Sequence, residues 1–184
     1  MTRRTLPDHL APGLDIVSIG LNPSIYSVER GFYFARPGNR FWPALNASGL
    51  IPEPLAPSPE AVERLFRQYR IGFTDLVKRA TVRVAELSDD DYARGVRQLR
   101  EKLGRHAPAI AWFHGISGYR RFLAHAATPR AEIIAGLQPE RIGTSHVFVT
   151  PNPSGANPMA APKLLVPLYR ELARLRDALT STGS

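Results

Sequence analysis

Two similar motifs place an asparagine directly before a proline where an apolar run ends. Asn22-Pro23-Ser24 follows the run at 14–19, and Asn152-Pro153-Ser154-Gly155 follows a run that begins at His146. Proline fixes its own φ angle and restricts the preceding residue to extended geometry, so each asparagine is held stiffly. A carboxamide can position water, but it cannot deprotonate water at neutral pH. Each motif alone is typical of an ordinary strand-to-loop turn, whereas the pair favours a binding site.

The elements that must position these motifs alternate between strands and helices. Buried strands are predicted at 14–19, at 109–115 and from 146 onwards, with a short strand or turn at 71–77. Helices are predicted from Phe41 to a stop at Gly49, after Ser58-Pro59, after the capping box of Ser88 and Asp91, and over 116–125 and 164–179. This alternation predicts an α/β fold, a three-layer αβα sandwich with a mostly parallel central sheet. In such sheets ligands bind at the carboxyl ends of the strands, where both motifs lie.

The composition limits the class of protein. A chain of 184 residues with 43% apolar side chains suits one domain, which we expect at 14–184 after a flexible arm at 1–13. There is no apolar window long enough to cross a membrane, and the first residues do not resemble a secretory signal. Cysteine is absent, so disulfides and thiol catalysis are excluded, and we expect neither metal nor cofactor. The net charge of +8 favours an anionic partner such as nucleic acid, although an ordinary basic surface gives the same sum.

Four motifs, in order along the chain, resemble those of the mismatch-specific uracil/thymine-DNA glycosylases, a branch of the uracil-DNA glycosylase superfamily. GLNPS resembles the GINPG motif of that family, FARPGNRFW its aromatic loop, IGFTDLVKRAT its GxT-xLV-x-R segment, and PNPSG its minor-groove loop. The resemblance covers residues 14 to about 179. It implies the fold of that superfamily and a monofunctional enzyme that flips uracil out of a G·U pair and hydrolyses its N-glycosidic bond.

The resemblance also implies roles for single residues. Asn22 matches the asparagine that positions the attacking water, and Phe34 matches the ring that stacks on the flipped base, a contact worth about 1–3 kcal/mol. An ordinary core phenylalanine is the alternative for Phe34. The pocket would also be lined by Gly20, Leu21, Ser24 and Ser27. DNA contacts are expected from Asn152, Pro153, Ser154 and Gly155, from Ala156 and Asn157, which would fill the gap left by the flipped nucleotide, and from Arg36 and Arg40 beside the aromatic loop.

Two positions depart from the family pattern. Ser24 stands where the family usually has glycine, so its side chain would narrow the pocket against bulky 5-substituents. Asp75 stands where relatives carry asparagine or lysine. Its carboxylate could accept the uracil N3–H, activate water as a general base, or stabilise the cationic sugar. The alternative is that Asp75 caps the turn that follows it. We expect Asp75 to be catalytic.

Other polar residues carry weaker predictions. His114 ends a strand, where a lone histidine is more often structural than functional. Lys78, Arg79 and Arg83 could contact phosphates, but each alone is more often an ordinary solvated surface charge. We expect a monomer, cytoplasmic and on the nucleoid, whose partner is duplex DNA with uracil mismatches. The competing prediction is a nucleic-acid-binding module that keeps the fold and lacks activity.

Overall fold

A five-stranded sheet forms the centre of the computed structural model, which describes residues 5–181. The strands are β1 (Ile16–Gly20), β2 (Ile71–Asp75), β3 (Ile110–His114), β4 (Gly136–Ile142) and β5 (Ser145–Thr150). They lie in the order β2-β1-β3-β5-β4. Neighbouring strands are parallel except β4, which pairs antiparallel with β5. The predicted mostly parallel sheet is confirmed.

Helices cover both faces of this sheet. They are α1 (Ile25–Arg30), α2 (Phe41–Ser48), α3 (Pro59–Arg67), α4 (Asp89–His106), α5 (Ile116–His125) and α6 (Pro162–Ser181), with 3₁₀ turns at Val84–Glu86 and Pro158–Ala160. Alternate strand residues face opposite sides, so the core has two halves. One half packs α2, α3 and α6 on the sheet, and the other packs α4 and α5. The predicted three-layer sandwich is confirmed.

The helix ends follow local sequence signals. Ser58 caps α3 by accepting a hydrogen bond from the Ala61 amide, with Pro59 at the first helical position. Ser88 and Asp91 form the predicted capping box of α4. Gly49 ends α2 in the left-handed region at φ 75°. No helix within residues 5–181 is both long and apolar enough to cross a bilayer.

Within the arm expected at 1–13, Leu6 and residues 8–11 are buried or half-buried against the domain. Leu6 is only 2% exposed. His9 pairs with Phe73 of β2 through two backbone hydrogen bonds of 2.9 and 3.0 Å. The sequence carries little sign of this because Leu6 and Leu10 are isolated apolar residues with no strand-like or helical repeat around them. Residues 1–4, which include Arg3 and Arg4, lie outside the described residues.

The order of the strands creates a binding position. β2 pairs with one edge of β1, and β3, the next strand in the sequence, pairs with the other edge. The direction in which successive strands are added therefore reverses at β1. Such a switch point leaves a crevice between the loops that follow the strands. Both asparagine-proline motifs lie in such loops, after β1 and after β5.

Candidate active site

A cleft of about 190 Å³ opens at the carboxyl ends of β1, β2, β3 and β5. The sequence-predicted residues that line it are Gly20, Leu21, Asn22, Ser24, Ser27, Phe34, Arg36, Asp75, Asn152, Pro153 and Ser154. A larger cavity of about 810 Å³ lies beside α3, but none of the predicted site residues lines it. The chemistry predicted from the sequence therefore converges on the smaller cleft.

Asn22 is oriented by the loop that follows β2. Its Nδ2 group donates to the Arg79 carbonyl oxygen at 3.1 Å and to Thr81 Oγ1 at 2.8 Å. Both amide protons are thereby used, so the group that Asn22 offers to a ligand is its carbonyl oxygen, a hydrogen-bond acceptor. An acceptor fixed in this way can hold a water molecule by accepting a hydrogen bond from one of the water protons.

Asp75 ends β2 beside Gly20, its registered partner on β1. The carboxyl group is 4% exposed, and its Oδ1 atom lies 2.5 Å from where a side-chain Cβ on Gly20 would stand. Glycine at position 20 therefore leaves the space that the Asp75 carboxylate occupies. Buried Oδ2 has no hydrogen-bond partner among the described residues. Such a group in a native cleft is a functional candidate.

Burial dominates the electrostatics of Asp75. It raises the pKa of Asp75 to about 6, against an opposing effect of the nearby Lys78 ammonium. Lys78 Nζ lies 3.5 Å from Asp75 Oδ2 and donates to the Tyr33 hydroxyl at 3.3 Å. At neutral pH the carboxyl group is thus mostly ionised, and its pKa is close to the value that suits a general base.

Phe34 places an aromatic face in the cleft. Its ring is stacked on Phe41, with centroids 4.0 Å apart and planes inclined by 11°. One ring face is covered in this way, so a planar base would take the other. The Phe34 backbone has φ 57°, which is uncommon for a residue with a side chain, and Trp42 Nε1 donates to its carbonyl oxygen at 3.1 Å. Strain of this kind, about 1–3 kcal/mol, is concentrated at functional sites.

His114 contributes a second ring to the cleft. It is buried, and burial lowers its pKa to about 3, so the imidazole is neutral. Its Nε2 lies 2.8 Å from Ser18 Oγ, while Nδ1 has no hydrogen-bond partner among the described residues. The ring lies edge-on to Phe34, with centroids 5.0 Å apart. The sequence favoured a structural role, and the structure adds that one buried ring nitrogen at the cleft has no protein partner among residues 5–181.

Ser24 and Ser27 serve the helix that begins at the cleft. Ser24 caps α1 by accepting a hydrogen bond from the Ser27 amide at 3.1 Å, and its hydroxyl donates to Ser27 Oγ at 3.1 Å. Because the Ser24 hydroxyl is engaged with α1, its effect on the pocket is mainly the volume of its side chain. The predicted narrowing of the pocket relative to a glycine stays a prediction.

The loop after β5 is held by its own polar side chains. Asn152 Oδ1 accepts from the Ser154 amide at 3.0 Å, and Asn157 Nδ2 donates to the Asn152 carbonyl oxygen at 2.8 Å. Arg40 braces this loop through Arg40 NH1, which donates to the Asn157 carbonyl oxygen at 2.9 Å. Gly155 packs against the turn at Gly38.

The predicted DNA contacts therefore fall into two groups. Arg36 and Ala156 are exposed, whereas Arg40 and Asn157 are half-buried and engaged with the loop. Gly155, Ala156, Asn157 and Arg40 do not line the cleft itself. Arg79, a weaker phosphate candidate, is paired with Asp91 at 2.7 Å. We assign Arg40 and Asn157 to loop positioning, and their contact with DNA stays a prediction.

Several cleft residues were not predicted from the sequence. They are Leu6, Tyr33, Asn39, Thr81, Val82 and Val84. Thr81 falls in the quoted segment IGFTDLVKRAT and Tyr33 adjoins Phe34, so motif position could have found both. Leu6 joins the cleft through packing of residues 5–13, for which the sequence carries no local signal.

Fold and cleft together define an α/β protein with a polar and aromatic cleft at the switch point of a mostly parallel sheet. The model of the uracil DNA glycosylase superfamily matches residues 7–173, and the chain belongs to that superfamily. It is thus placed among hydrolases that act on the N-glycosyl bonds of DNA. A solution NMR structure of a Methanosarcina acetivorans protein, itself proposed to be a uracil DNA glycosylase, has a similar fold. The TM-score is 0.57 at 22% identity, covering 94% of this chain and 99% of that one.

Proposed function

We propose that this protein is a monofunctional DNA glycosylase that excises uracil from G·U pairs in duplex DNA. The observation that carries the proposal is one cleft in which an oriented asparagine, a buried carboxylate of raised pKa and an aromatic face meet. Membership of the uracil DNA glycosylase superfamily supports the reaction class. The mismatch preference rests on the resemblance of the four motifs to the mismatch-specific branch.

The base enters the cleft after leaving the duplex. Flipping costs a few kcal/mol and costs least at a mismatch, which favours uracil opposite guanine. Stacking on the open face of Phe34 offsets part of that cost. The neutral His114 ring would meet the edge of the stacked base through its Nδ1 atom, which has no protein partner among residues 5–181. A neutral ring hydrogen-bonds the base without adding charge to the cleft.

Hydrolysis then needs a water molecule below the sugar. The Asn22 carbonyl oxygen accepts one proton of that water in a hydrogen bond, and Asp75 accepts the other proton as general base. The water oxygen bonds to C1′ of the deoxyribose, and the electron pair of the N-glycosidic bond leaves with uracil. The products are an abasic site, uracil anion and protonated Asp75. Ionised Asp75 also stabilises the positive charge that develops on the sugar.

Two features support a monofunctional enzyme and a DNA partner. Lys78, close to Asp75, is bound by Asp8 at 2.8 Å and does not line the cleft, so it is not placed to form a Schiff base with the sugar. Arg36 is exposed at the cleft rim, where a phosphate would pass. We propose that the chain acts as a monomer on DNA in the cytoplasm.

Strand cleavage at abasic sites tests the proposal. Labelled duplexes with one G·U, A·U or G·T pair, and single-stranded uracil DNA, are incubated with protein and treated with alkali. We expect product from G·U with the wild type, and single-turnover rates lower by about 100-fold or more in Asn22→Ala and Asp75→Asn. Asp90→Asn, an exposed carboxylate at the start of α4, is the matched control and should retain the wild-type rate.

The same assay separates the competing function. A non-catalytic binding module would retain salt-dependent DNA binding and yield no abasic product from any substrate. That result would contradict the proposed enzyme. If A·U pairs and single-stranded uracil gave product as fast as the G·U pair, the proposed glycosylase activity would stand but the mismatch preference would be contradicted.

A further inference from the structure

Residues 5–9 are fixed against β2 and reach the cleft. Leu6 lines the cleft, Pro7 accepts a hydrogen bond from the Tyr33 hydroxyl at 3.1 Å, and His9 pairs with Phe73. Thr5 Oγ1 donates to the Lys78 carbonyl oxygen at 2.6 Å. This segment is therefore packed against β2 and against the loop that carries Lys78, directly after Asp75.

Asp8 is the charged residue of this segment and is fully engaged. Its Oδ1 atom accepts from Lys78 Nζ and from Thr74 Oγ1, both at 2.8 Å. Its Oδ2 atom lies 2.7 Å from Lys102 Nζ. Burial alone would raise the pKa of Asp8, but Lys78 and Lys102 together hold it below its ordinary value. Asp8 is therefore an anion at the pH at which the enzyme would work.

Lys78 is shared unequally between two carboxylates. Its ammonium is 2.8 Å from Asp8 Oδ1 but 3.5 Å from Asp75 Oδ2. The shorter distance is that of a charge-assisted hydrogen bond, and the longer one is beyond it. Asp8 thus holds the ammonium at ion-pair distance from Asp75 Oδ2 but beyond the length of a charge-assisted hydrogen bond, so the ammonium stabilises the buried charge without closing tightly on the oxygen.

We propose that Asp8 is a positioning residue for Asp75, because it holds the Lys78 ammonium away from the carboxylate and so keeps Asp75 available to accept the proton of the attacking water. The proposal rests on the proposed glycosylase function. It makes residues 5–9 a part of the active site. Neither motif resemblance nor cleft position assigned a role to Asp8.

The direction of the effect follows from the charges around Asp75. The charged or titratable groups that act on it are Lys78 from its own loop, Asp8 from residues 5–9, and Tyr33 from the loop after α1. Asp8 in turn faces Lys102 of α4 and His9. Removing the Asp8 charge releases Lys78 to pair closely with Asp75. The pKa of Asp75 then falls, and its carboxylate becomes a weaker base.

Asp8→Asn tests this chain of contacts through two readouts. The first is the titration of the Asp75 carboxyl carbon by ¹³C NMR, which does not depend on activity. The second is the pH profile of single-turnover uracil release from a G·U duplex. We expect the titration midpoint and the acidic limb of the rate to move together to lower pH by about one unit, with a plateau lower by several-fold. Lys78→Met should move both to higher pH.

Controls separate positioning from folding. Asp15→Asn removes a carboxylate paired with Arg70 at 3.1 Å, at the opposite end of β1, and should leave both readouts unchanged. If Asp8→Asn does not fold, Lys78→Met is compared with the Lys78→Met/Asp8→Asn double variant. Without Lys78, losing Asp8 should move the Asp75 titration midpoint by clearly less than about one unit, and a downward shift of about one unit or more would overturn the role of Asp8.

The outcomes are distinct. An unchanged Asp75 titration in folded Asp8→Asn overturns the proposed role of Asp8, whatever the activity. A shifted titration with a shifted rate profile supports it. A shifted titration in a protein that releases no uracil supports the coupling of Asp8 to Asp75 and overturns the proposed glycosylase function instead.

Discussion

Gly20 shows how a single position without a side chain can determine a site. The backbone does not require glycine there, because Gly20 does not have a positive φ angle. What requires it is the Asp75 carboxylate, whose Oδ1 occupies the place of a Cβ atom. The glycine of GLNPS is thus explained by contact with β2 rather than by the turn that follows it.

Gly20→Ala should displace the Asp75 carboxylate and reduce activity. The new Cβ would stand 2.5 Å from Oδ1, closer than any real Cβ contact, so Asp75 must shift. A displacement of about 1 Å can cost about 100-fold in rate, and overpacking costs about 1–3 kcal/mol of stability. The measurement is single-turnover uracil release together with urea unfolding.

Gly104→Ala is the matched control for that substitution. A Cβ on Gly104 in α4 meets nothing within 4 Å, so activity should be unchanged and stability equal or higher by about 1 kcal/mol. Wild-type activity in Gly20→Ala would show that the position of Asp75 is not critical for the reaction.

At the scale of elements, the loop after β5 owes its shape to its neighbours. Arg40 at the start of α2 donates from its backbone to the Pro153 carbonyl oxygen at 2.8 Å and from its guanidinium to the Asn157 carbonyl oxygen. Both bonds join the start of α2, which follows the FARPGN segment, to the loop after β5. Two motifs that are distant in the sequence are therefore bonded to each other at one rim of the cleft.

Arg40→Ala should weaken DNA binding by loosening this rim, without changing how binding depends on salt. A residue that contacts a phosphate contributes about 1 to the slope of log K against log salt, whereas a residue that braces a loop contributes nothing to it. The measurement is fluorescence anisotropy of a G·U duplex over a series of salt concentrations.

Arg36→Ala provides the comparison for Arg40→Ala. Arg36 is exposed at the cleft, so its loss should reduce the slope by about 1. An equal reduction of the salt slope in Arg40→Ala would support the phosphate contact that the sequence predicted for Arg40 and would contradict a purely bracing role.

Elements differ in how well the sequence predicts them. β1, β3 and β5 are predominantly apolar and mostly buried, as is typical of parallel strands covered on both faces. β4 was not predicted, because Gln138, Pro139 and Glu140 interrupt its pattern, and proline is tolerated only because β4 is an edge strand. Helix caps at Ser58 and Ser88 are local signals and were predicted correctly.

The site was predicted where motif position was sufficient and missed where distant contacts decide. Asn22, Phe34 and Asp75 follow from strand ends and motifs, and the structure brings them to one cleft. Thr81, which orients Asn22, lies 59 positions away from it, and Asp8 lies 70 positions from Lys78. No periodicity in a sequence encodes contacts of that separation.

At the scale of the whole molecule, Asp75 reduces the stability of the fold at neutral pH. Its pKa rises from 3.8 to about 6 on folding, so the folded state binds a proton more tightly than the unfolded state. Burial of the Asp75 anion therefore lowers the free energy of unfolding by roughly 2–3 kcal/mol at pH 7. As pH falls from about 6 to about 4, Asp75 takes up a proton in the folded state and this loss of stability disappears. His114 acts oppositely: its lowered pKa removes stability as pH falls below 6.5.

Asp75→Asn should accordingly be more stable than the wild type at pH 7.5, by about 1–3 kcal/mol, with the difference vanishing near pH 4. The contribution of His114 is common to both proteins and cancels. Urea unfolding at both pH values measures the difference. A variant less stable than the wild type at pH 7.5 would show that the carboxylate stabilises the fold and would contradict its assignment as a destabilising catalytic group.

The separation in sequence between bonded partners also bears on how the molecule is made. Ser18 and His114 are 96 positions apart, and Arg40 and Asn157 are 117 apart. Contacts of this range form slowly because a long loop must close before each can exist. A chain synthesised only as far as β3 thus already contains Asn22, Phe34, Asp75 and His114, but it lacks the loop after β5 that closes one side of the cleft. The cleft is complete only when β5, the last strand to be synthesised, has joined the sheet.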